Sequence, residues 1–521
     1  MAFIRLKTNQ PRLILNLKHA FTPYSMLGEL LQNARRAGAG SIQIEADDDS
    51  ITVTDDGSGI ADLQSLIHIA ESGWDEDLQR RENAFGMGIL STLYFSENLF
   101  VHSGEQAFDA RTADIIAGEA IEVLAEEPRT GTQIRIHGVK ANQTALDLPN
   151  WVRRQLVTLC EAFPVPVSFN GIDLPRPLAD PTLDWRKTPV GRVLIDLGAS
   201  HVDWRCFLQG LPIGDQGWPK GKHIVLLHDD MIARLPDRQH LLDEEAEKPR
   251  IQEAVNIAMR EALIEAKASM DIALFLANHG GACLNTGNAD LLNDIPFVKL
   301  SWFRDWQALR SRYAHAWKDA DLGGFIAAET LNETGVWDVE TDDFDDDFAS
   351  IAYVGAQGGL LLEEYRLHAD HWLWPLIRHI RPNDVTVSTG AVLHEDKNLS
   401  LADAVDLVLT DSIRLGLVGD EVTYPVATIR KNDVVYVTPG ASNVTRFISD
   451  YQFDNRYDED AEAADAKSVR TFIAVGQSQD AAGVIDTLLS EQLRYTPQPK
   501  LANATVRLAF DGEGKLQSVT L

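Results

Sequence analysis

Apolar positions along the first 140 residues change period several times, and each change marks an element. Over residues 25–37, Met26, Leu27, Leu30, Leu31 and Ala34 recur at helical spacing. Gly38 and Gly40 follow directly, so the helix is predicted to end there. Residues 41–45 and 51–54 alternate apolar and polar side chains, and the Asp-rich turn at 47–50 between them predicts a hairpin. A glycine-punctuated stretch and further strands complete a first block, residues 1–140.

A second block, residues 141–275, opens with a helical pattern at 149–160 and a strand at 165–169 closed by the Asn170-Gly171 turn. Strand patterns follow at 193–197, 204–210 and 223–227, then a long helix at 247–268, an α+β order. The third block, residues 276–521, is rich in tryptophan and helix formers as far as Ala328. The acidic run at 337–348, broken by aromatics, reads as a solvated loop or arm. Strand-like text returns at 384–389 and 422–437. A second acidic stretch at 454–465 precedes a helix predicted at 481–493, and residues 505–521 alternate like a hairpin around Gly512 and Gly514. The fold class expected is α+β, with an unassigned mixed α/β region beyond residue 275 that is one domain or two.

Composition narrows the class of protein. An apolar fraction of 45% is that of an ordinary globular chain, and 521 residues suit about three or four domains. Cys160, Cys206 and Cys283 show no CxxC spacing, which argues against a disulfide framework or zinc site and for a reducing compartment. Residues 1–11 lack the apolar run of a signal peptide, and no stretch of about 18 apolar residues predicts a membrane span. A cytoplasmic location is expected. The net charge of -31 repels phosphate backbones and makes nucleic acid an unlikely partner for the chain as a whole.

Four short elements carry candidate chemistry. Glu29 and Asn33 lie one turn apart on the first helix and project from one face. A carboxylate can hold a water and take its proton, and an amide oxygen can help hold Mg²⁺. Asp55 opens the turn Asp55-Asp56-Gly57-Ser58-Gly59-Ile60, whose glycines let backbone approach a ligand. Its carboxylate can accept from an exocyclic amine. Phe85-Gly86-Met87-Gly88 runs into an apolar helical segment, a place where backbone N–H groups suit phosphate oxygens. Gly131-Thr132 opens a last strand.

Taken in order, these four elements resemble the motifs of the Bergerat-type nucleotide-binding domain of the GHKL superfamily. That group comprises gyrase B, the large heat shock chaperones, sensor histidine kinases and MutL proteins. The resemblance implies an α/β sandwich that binds ATP with Mg²⁺ and hydrolyses it slowly. Glu29 would be the general base and Asn33 the Mg²⁺ ligand. Asp55 would meet adenine, with Gly57 and Gly59 shaping the base pocket and Thr132 assisting. Gly86, Met87 and Gly88 would wrap the phosphates, and residues between Ile60 and Phe85 would form the lid. The heat shock protein 90 branch is the most similar, through Ile69-Ala70-Glu71-Ser72-Gly73 and the text from Phe85 to Ser103. Asn83 stands where that branch has a further glycine.

The second block is similar to the middle, transducer domain of these proteins. Phe207 to Gly214 fits its opening strand and turn, and the text after Leu235 fits the loop that supplies a cation to the γ-phosphate, making Arg238 the candidate. Pairing of Arg238 with Asp243 or Glu244 is the plainer alternative, and Arg35 and Arg36 read as a solvated helix face. No phospho-accepting domain precedes the block, and neither an EGDSA-type nor a DQHAxxE-like site follows it. Two functions therefore stay open: a chaperone-like homodimeric clamp on a protein client, or an ATPase switch with a dedicated partner in a bacterial defence or mobile-element system.

Overall fold

The computed structural model describes residues 17–68, 88–139, 147–199, 201–214, 221–234, 238–304, 324–339, 348–397, 399–454 and 456–521. The chain is a mixed α+β protein that divides into two compact units, residues 1–291 and 292–521. Residue 275 falls inside a helix, Ile272–Asn285.

In the first unit, helix α1 (Pro23–Arg36) starts where the sequence programs a start. Thr22 and Ser25 form a reciprocal capping box, the Thr22 hydroxyl accepting from the Ser25 N–H at 3.1 Å, and Pro23 sits at the first helical position. Strands β1 (Ile42–Ala46) and β2 (Ser50–Asp55) form the expected hairpin. Helix α2 (Ile89–Phe95) leads to β3 (Asn98–Arg111), the short α3 (Thr112–Ala117) and β4 (Leu124–His137). Helix α4 (Leu148–Leu159) then brings in β5 (Val167–Phe169) and β6 (Ile172–Asp173). The six strands form one sheet in the order β3-β4-β2-β1-β5-β6, with β5 parallel to β1.

Alternation decides which face is covered. Ile42, Ile44, Ile51, Val53, Leu99, Val101, Ile134 and Ile136 are buried in one core with Leu27 and Leu31 of α1, Leu90 and Leu93 of α2, and Trp151 and Leu156 of α4. The result is a two-layer sandwich with its helices on one side.

A second sheet follows: β7 (Arg186–Thr188), β8 (Gly191–Leu194), β9 (Trp204–Leu208), β10 (Leu211–Ile213) and β11 (His223–Leu227), in the order β10-β9-β11-β8-β7. Helix α5 (Glu244–Ser269) covers it with Ile251, Ala254, Val255 and Ala258, and α6 (Ile272–Asn285) follows. The two sheets meet at α1. Leu211 of β10 belongs to the first core, and the Gln32 amide donates to the Gln209 carbonyl at 3.3 Å.

The second unit has its own core, built on three sheets. Strands Val336–Val339, Leu360–Leu362 and Ile377–Ile380 are parallel neighbours, with helix Phe348–Ala356 between the first two in sequence. The acidic stretch at 454–465 is largely the start of a 19-residue helix, Glu459–Gln477, because Asp458 caps it and Glu459, Asp460 and Glu462 complement its N-terminal dipole. One expectation needs correction. The helix expected over 481–493 is two, Ala481–Leu488 and Glu491–Tyr495. Leu489 is extended between them, and Ser490 caps the second by accepting from the Leu493 N–H. The hairpin expected at 505–521 is present, as Arg507–Phe510 paired with Leu516–Thr520. Among the described residues no helix is long and apolar enough to cross a membrane.

Candidate active site

Two clusters form on the helix-covered side of the first sheet, both from residues singled out in the sequence. The first is built at the end of β2. Asp55 is buried, and its Oδ1 accepts from the Gly57 N–H at 2.9 Å. The Thr132 backbone bonds to the same carboxyl. Burial pushes this carboxyl above its ordinary value, while the bonds from Gly57 and Thr132 pull it back down. Asp56 faces the other way and pins the turn, accepting from the Gly40 and Ser41 N–H groups at 2.6 and 2.9 Å.

Ser103 on β3 joins the parts together. Its fully buried hydroxyl accepts from the Ile60 N–H at 2.7 Å, donates to the Gly131 carbonyl at 3.1 Å and lies 3.3 Å from the Thr132 hydroxyl. Sequence reasoning gave it no role, because a serine in an alternating strand carries no signal of its own. The glycines here are required by geometry. Gly131 has φ of +73°, and a Cβ on it would overlap the Asp55 carbonyl; Gly59 has φ of +75°, and a Cβ would press on the Ser103 hydroxyl.

The second cluster is centred on Glu29, whose side chain is 7% exposed. The Arg238 Nε donates to Glu29 Oε1 at 2.5 Å, although the two residues are 209 positions apart. Arg36 approaches the other carboxylate oxygen at 3.9 Å and donates to the Asn33 amide oxygen at 3.4 Å. The Arg36 side chain is 2% exposed, so the solvated face expected for it is wrong. Arg238 comes from the segment between β11 and α5, and its side chain is 13% exposed. Glu244 is engaged by His240 at 2.7 Å and Lys248 at 2.9 Å, while Asp243 caps α5. Arg238 itself has φ of +55°, an uncommon conformation for a side-chain-bearing residue.

Gly88, just before α2, closes on the same carboxylate; a Cβ on it would overlap Glu29 Oε2. Gly86, Met87, Asn83 and most of the expected lid lie outside the described residues. The structure thus gathers Glu29, Asn33, Gly88 and Arg238 into one cluster and Asp55, Gly57, Gly59 and Thr132 into another.

Residues 21–137 match the family described as histidine kinase-, DNA gyrase B-, and HSP90-like ATPase. The match supports the GHKL superfamily for this segment. No curated protein matches the chain. Domains of this family generally bind and hydrolyse ATP, usually with Mg²⁺. The two clusters fit such a ligand. A buried carboxyl whose ionisation is penalised gains from a donor such as an amine edge, and the surrounding glycines leave room for a planar base. The Asn33 amide oxygen is a hard donor of the type Mg²⁺ takes alongside phosphates and water.

Proposed function

We propose that the protein is an ATP-hydrolysing switch whose nucleotide site is wired to the neighbouring sheet through Arg238. The observation that carries this is the 2.5 Å contact between Arg238 and Glu29, which ties the ATPase domain to the segment after β11. In this reading Asp55 receives the exocyclic amine of adenine, and Gly57, Gly59 and Thr132 shape the base pocket. Gly86, Met87 and Gly88 line the phosphates. Asn33 holds Mg²⁺, which when bound neutralises phosphate charge. Glu29 orients the attacking water and takes its proton.

Arg238 has two anions to choose between. While it pairs with Glu29, that carboxylate is occupied and poorly placed to act as a base. When Arg238 turns to a terminal phosphate instead, Glu29 is released and the cation stabilises transferring-phosphoryl charge. Hydrolysis returns Arg238 to Glu29. The exchange links nucleotide state to the position of the second sheet, which is how a population shift between two conformations is driven. The wider reading is a clamp of two copies acting on a protein client, similar to the heat shock protein 90 chaperones; a switch serving one dedicated bacterial partner uses the same site.

Single-turnover phosphate release from Mg-ATP tests the proposal. Glu29→Gln is expected to bind nucleotide yet lose about 10²–10⁴-fold in rate, and Arg238→Ala to lose rate with binding largely kept. A wild-type protein that releases no phosphate, or a Glu29→Gln variant as fast as wild type, would overturn it.

A further inference from the structure

The second unit ends in a region whose surface is unlike the rest of the molecule. Ten of the 27 large hydrophobic side chains left exposed among the described residues lie between Leu488 and Leu521. Tyr495 is 80% exposed, Val519 58% and Leu516 54%. Among the described residues the hairpin Arg507–Phe510 and Leu516–Thr520 joins no core, and every residue of its outer strand is exposed on both faces. Among the described residues, no hydrogen bond or ion pair joins residues 490–521 to any residue before Asp486. An isolated two-stranded hairpin is marginal in water and needs a further strand or a covering layer.

The outer strand also lacks the usual protection of a sheet edge. Leu516-Gln517-Ser518-Val519-Thr520 contains no charge and no proline, the devices that ordinarily stop strands from pairing. A bulge at Ala509/Phe510 is followed by regular pairing of Ala509, Leu508 and Arg507 with Ser518, Val519 and Thr520. The free edge around Val519 is therefore flat enough to accept another strand.

Charge identifies the occupant. The chain carries -31, but over residues 481–521 four acidic and four basic side chains cancel. A basic partner would be drawn to the acidic remainder of the molecule and would gain nothing electrostatically here. Two copies of this chain repel almost everywhere and meet without that penalty along this neutral, apolar stretch of the chain. An uncharged strand paired antiparallel with itself about a two-fold axis puts no like charges opposite one another, as an isologous interface requires.

We propose that the outer strands Leu516–Thr520 of two copies pair antiparallel near Val519, making a four-stranded sheet that joins two chains. This names the surface for the two-copy clamp proposed above, and its test does not depend on nucleotide.

Sedimentation of the full-length chain without nucleotide gives the first readout. Wild type is expected to be a dimer, and Val519→Lys, a charge placed on the free edge, to raise the dissociation constant by at least about tenfold. Both substitutions used here fall on an exposed residue, and an unchanged thermal melt shows that the fold is kept. Val519→Cys gives the second readout. Cys160, Cys206 and Cys283 are all buried, and directly opposed residues of an antiparallel pair fall within disulfide reach, so mild oxidation should yield a cross-linked dimer. A wild-type monomer, a Val519→Lys dimer of unchanged strength, or a Val519→Cys dimer that does not cross-link would each overturn the proposal. Repeating the sedimentation with Glu29→Gln separates the two readings: dimerisation persists whether or not the ATPase assignment stands.

Discussion

Glu29 is buried beside two guanidinium groups, and this sets what removing either partner costs. Taking away Arg238 leaves a buried carboxylate with Arg36 at 3.9 Å as its remaining close cation among the contacts described. Breaking such a pair from one side costs on the order of 3 kcal/mol, because the surviving charge stays buried. Arg238→Ala should therefore lower the denaturation midpoint of the nucleotide-free protein, and the double variant Glu29→Gln/Arg238→Ala should recover much of the loss. A denaturant double-mutant cycle checks this; additive single losses would show that the contact carries no coupling.

Asp55 behaves oppositely. Burial raises its carboxyl, so ionising it is harder in the folded chain than in the unfolded one. The folded state then loses stability as pH rises from the ordinary carboxylate value, about 3.9, through the raised native one. Asp55→Asn removes the ionisation while keeping an acceptor for the Gly57 N–H. Above that interval the nucleotide-free variant should melt higher than wild type, and below about pH 4 the two should converge. Melting curves across pH read this directly. A variant that melts lower at neutral pH would mean that the carboxylate is already fully compensated by its neighbours.

At the scale of elements, the helix that presents Glu29 and Asn33 is held at its start by the Thr22–Ser25 box. Thr22→Ala should cost about 1 kcal/mol and lower ATP affinity only indirectly, which calorimetry of the melt and of binding separates. Much of this level was legible in the sequence. The period of Met26, Leu27, Leu30 and Leu31 gave α1, the Asp-rich turn gave the β1–β2 hairpin, and the glycines after Asp55 marked a sharp turn, in which the Gly57 N–H donates to the Asp55 carboxylate.

The parts that were not legible share a cause. Periodicity says that Arg36 is on a helix but not that its side chain is buried beside Glu29, nor that Arg238, 209 positions from Glu29, reaches the same carboxylate. Ser103 is an ordinary strand residue until three chain segments converge on its hydroxyl. The acidic text at 459–462 gave no helix signal by its apolar period, although its carboxylates are favourable in a helix's first turn. The split of 481–493 turned on one serine cap. Arg238 was singled out by resemblance alone, and its partner Glu29 could not be read from local pattern.

For the whole molecule, two units with separate cores should respond separately to solution conditions. His371 offers a handle on the second. It is 2% exposed, its Nδ1 accepts from the Leu373 N–H at 3.1 Å, and its ring stacks near Trp372 with centroids 5.1 Å apart. Burial pushes it down to about 4, against a bond to the Leu292 backbone that acts the other way. The unfolded chain therefore binds this proton first, and stability is lost as pH falls from about 6.5 to about 4, then levels off. The loss is on the order of 3 kcal/mol, and His371→Gln should flatten it. Scanning calorimetry of the full chain over that range tests this; an unchanged slope in the variant would place the acid sensitivity elsewhere.

The net charge of -31 acts at the same scale, keeping copies apart except where the surface is neutral, so weak self-association should strengthen with added salt. The central claim, however, is that residues 21–137 hold ATP with Asp55 at the base. Titration calorimetry of Mg-ATP into the full-length wild type and Asp55→Asn tests it most directly. The account predicts saturable binding by the wild type and a variant weakened by about 100-fold or more, since a site built to accept a hydrogen bond loses it. A wild type that binds no adenine nucleotide, or an Asp55→Asn variant that binds as tightly, would contradict it.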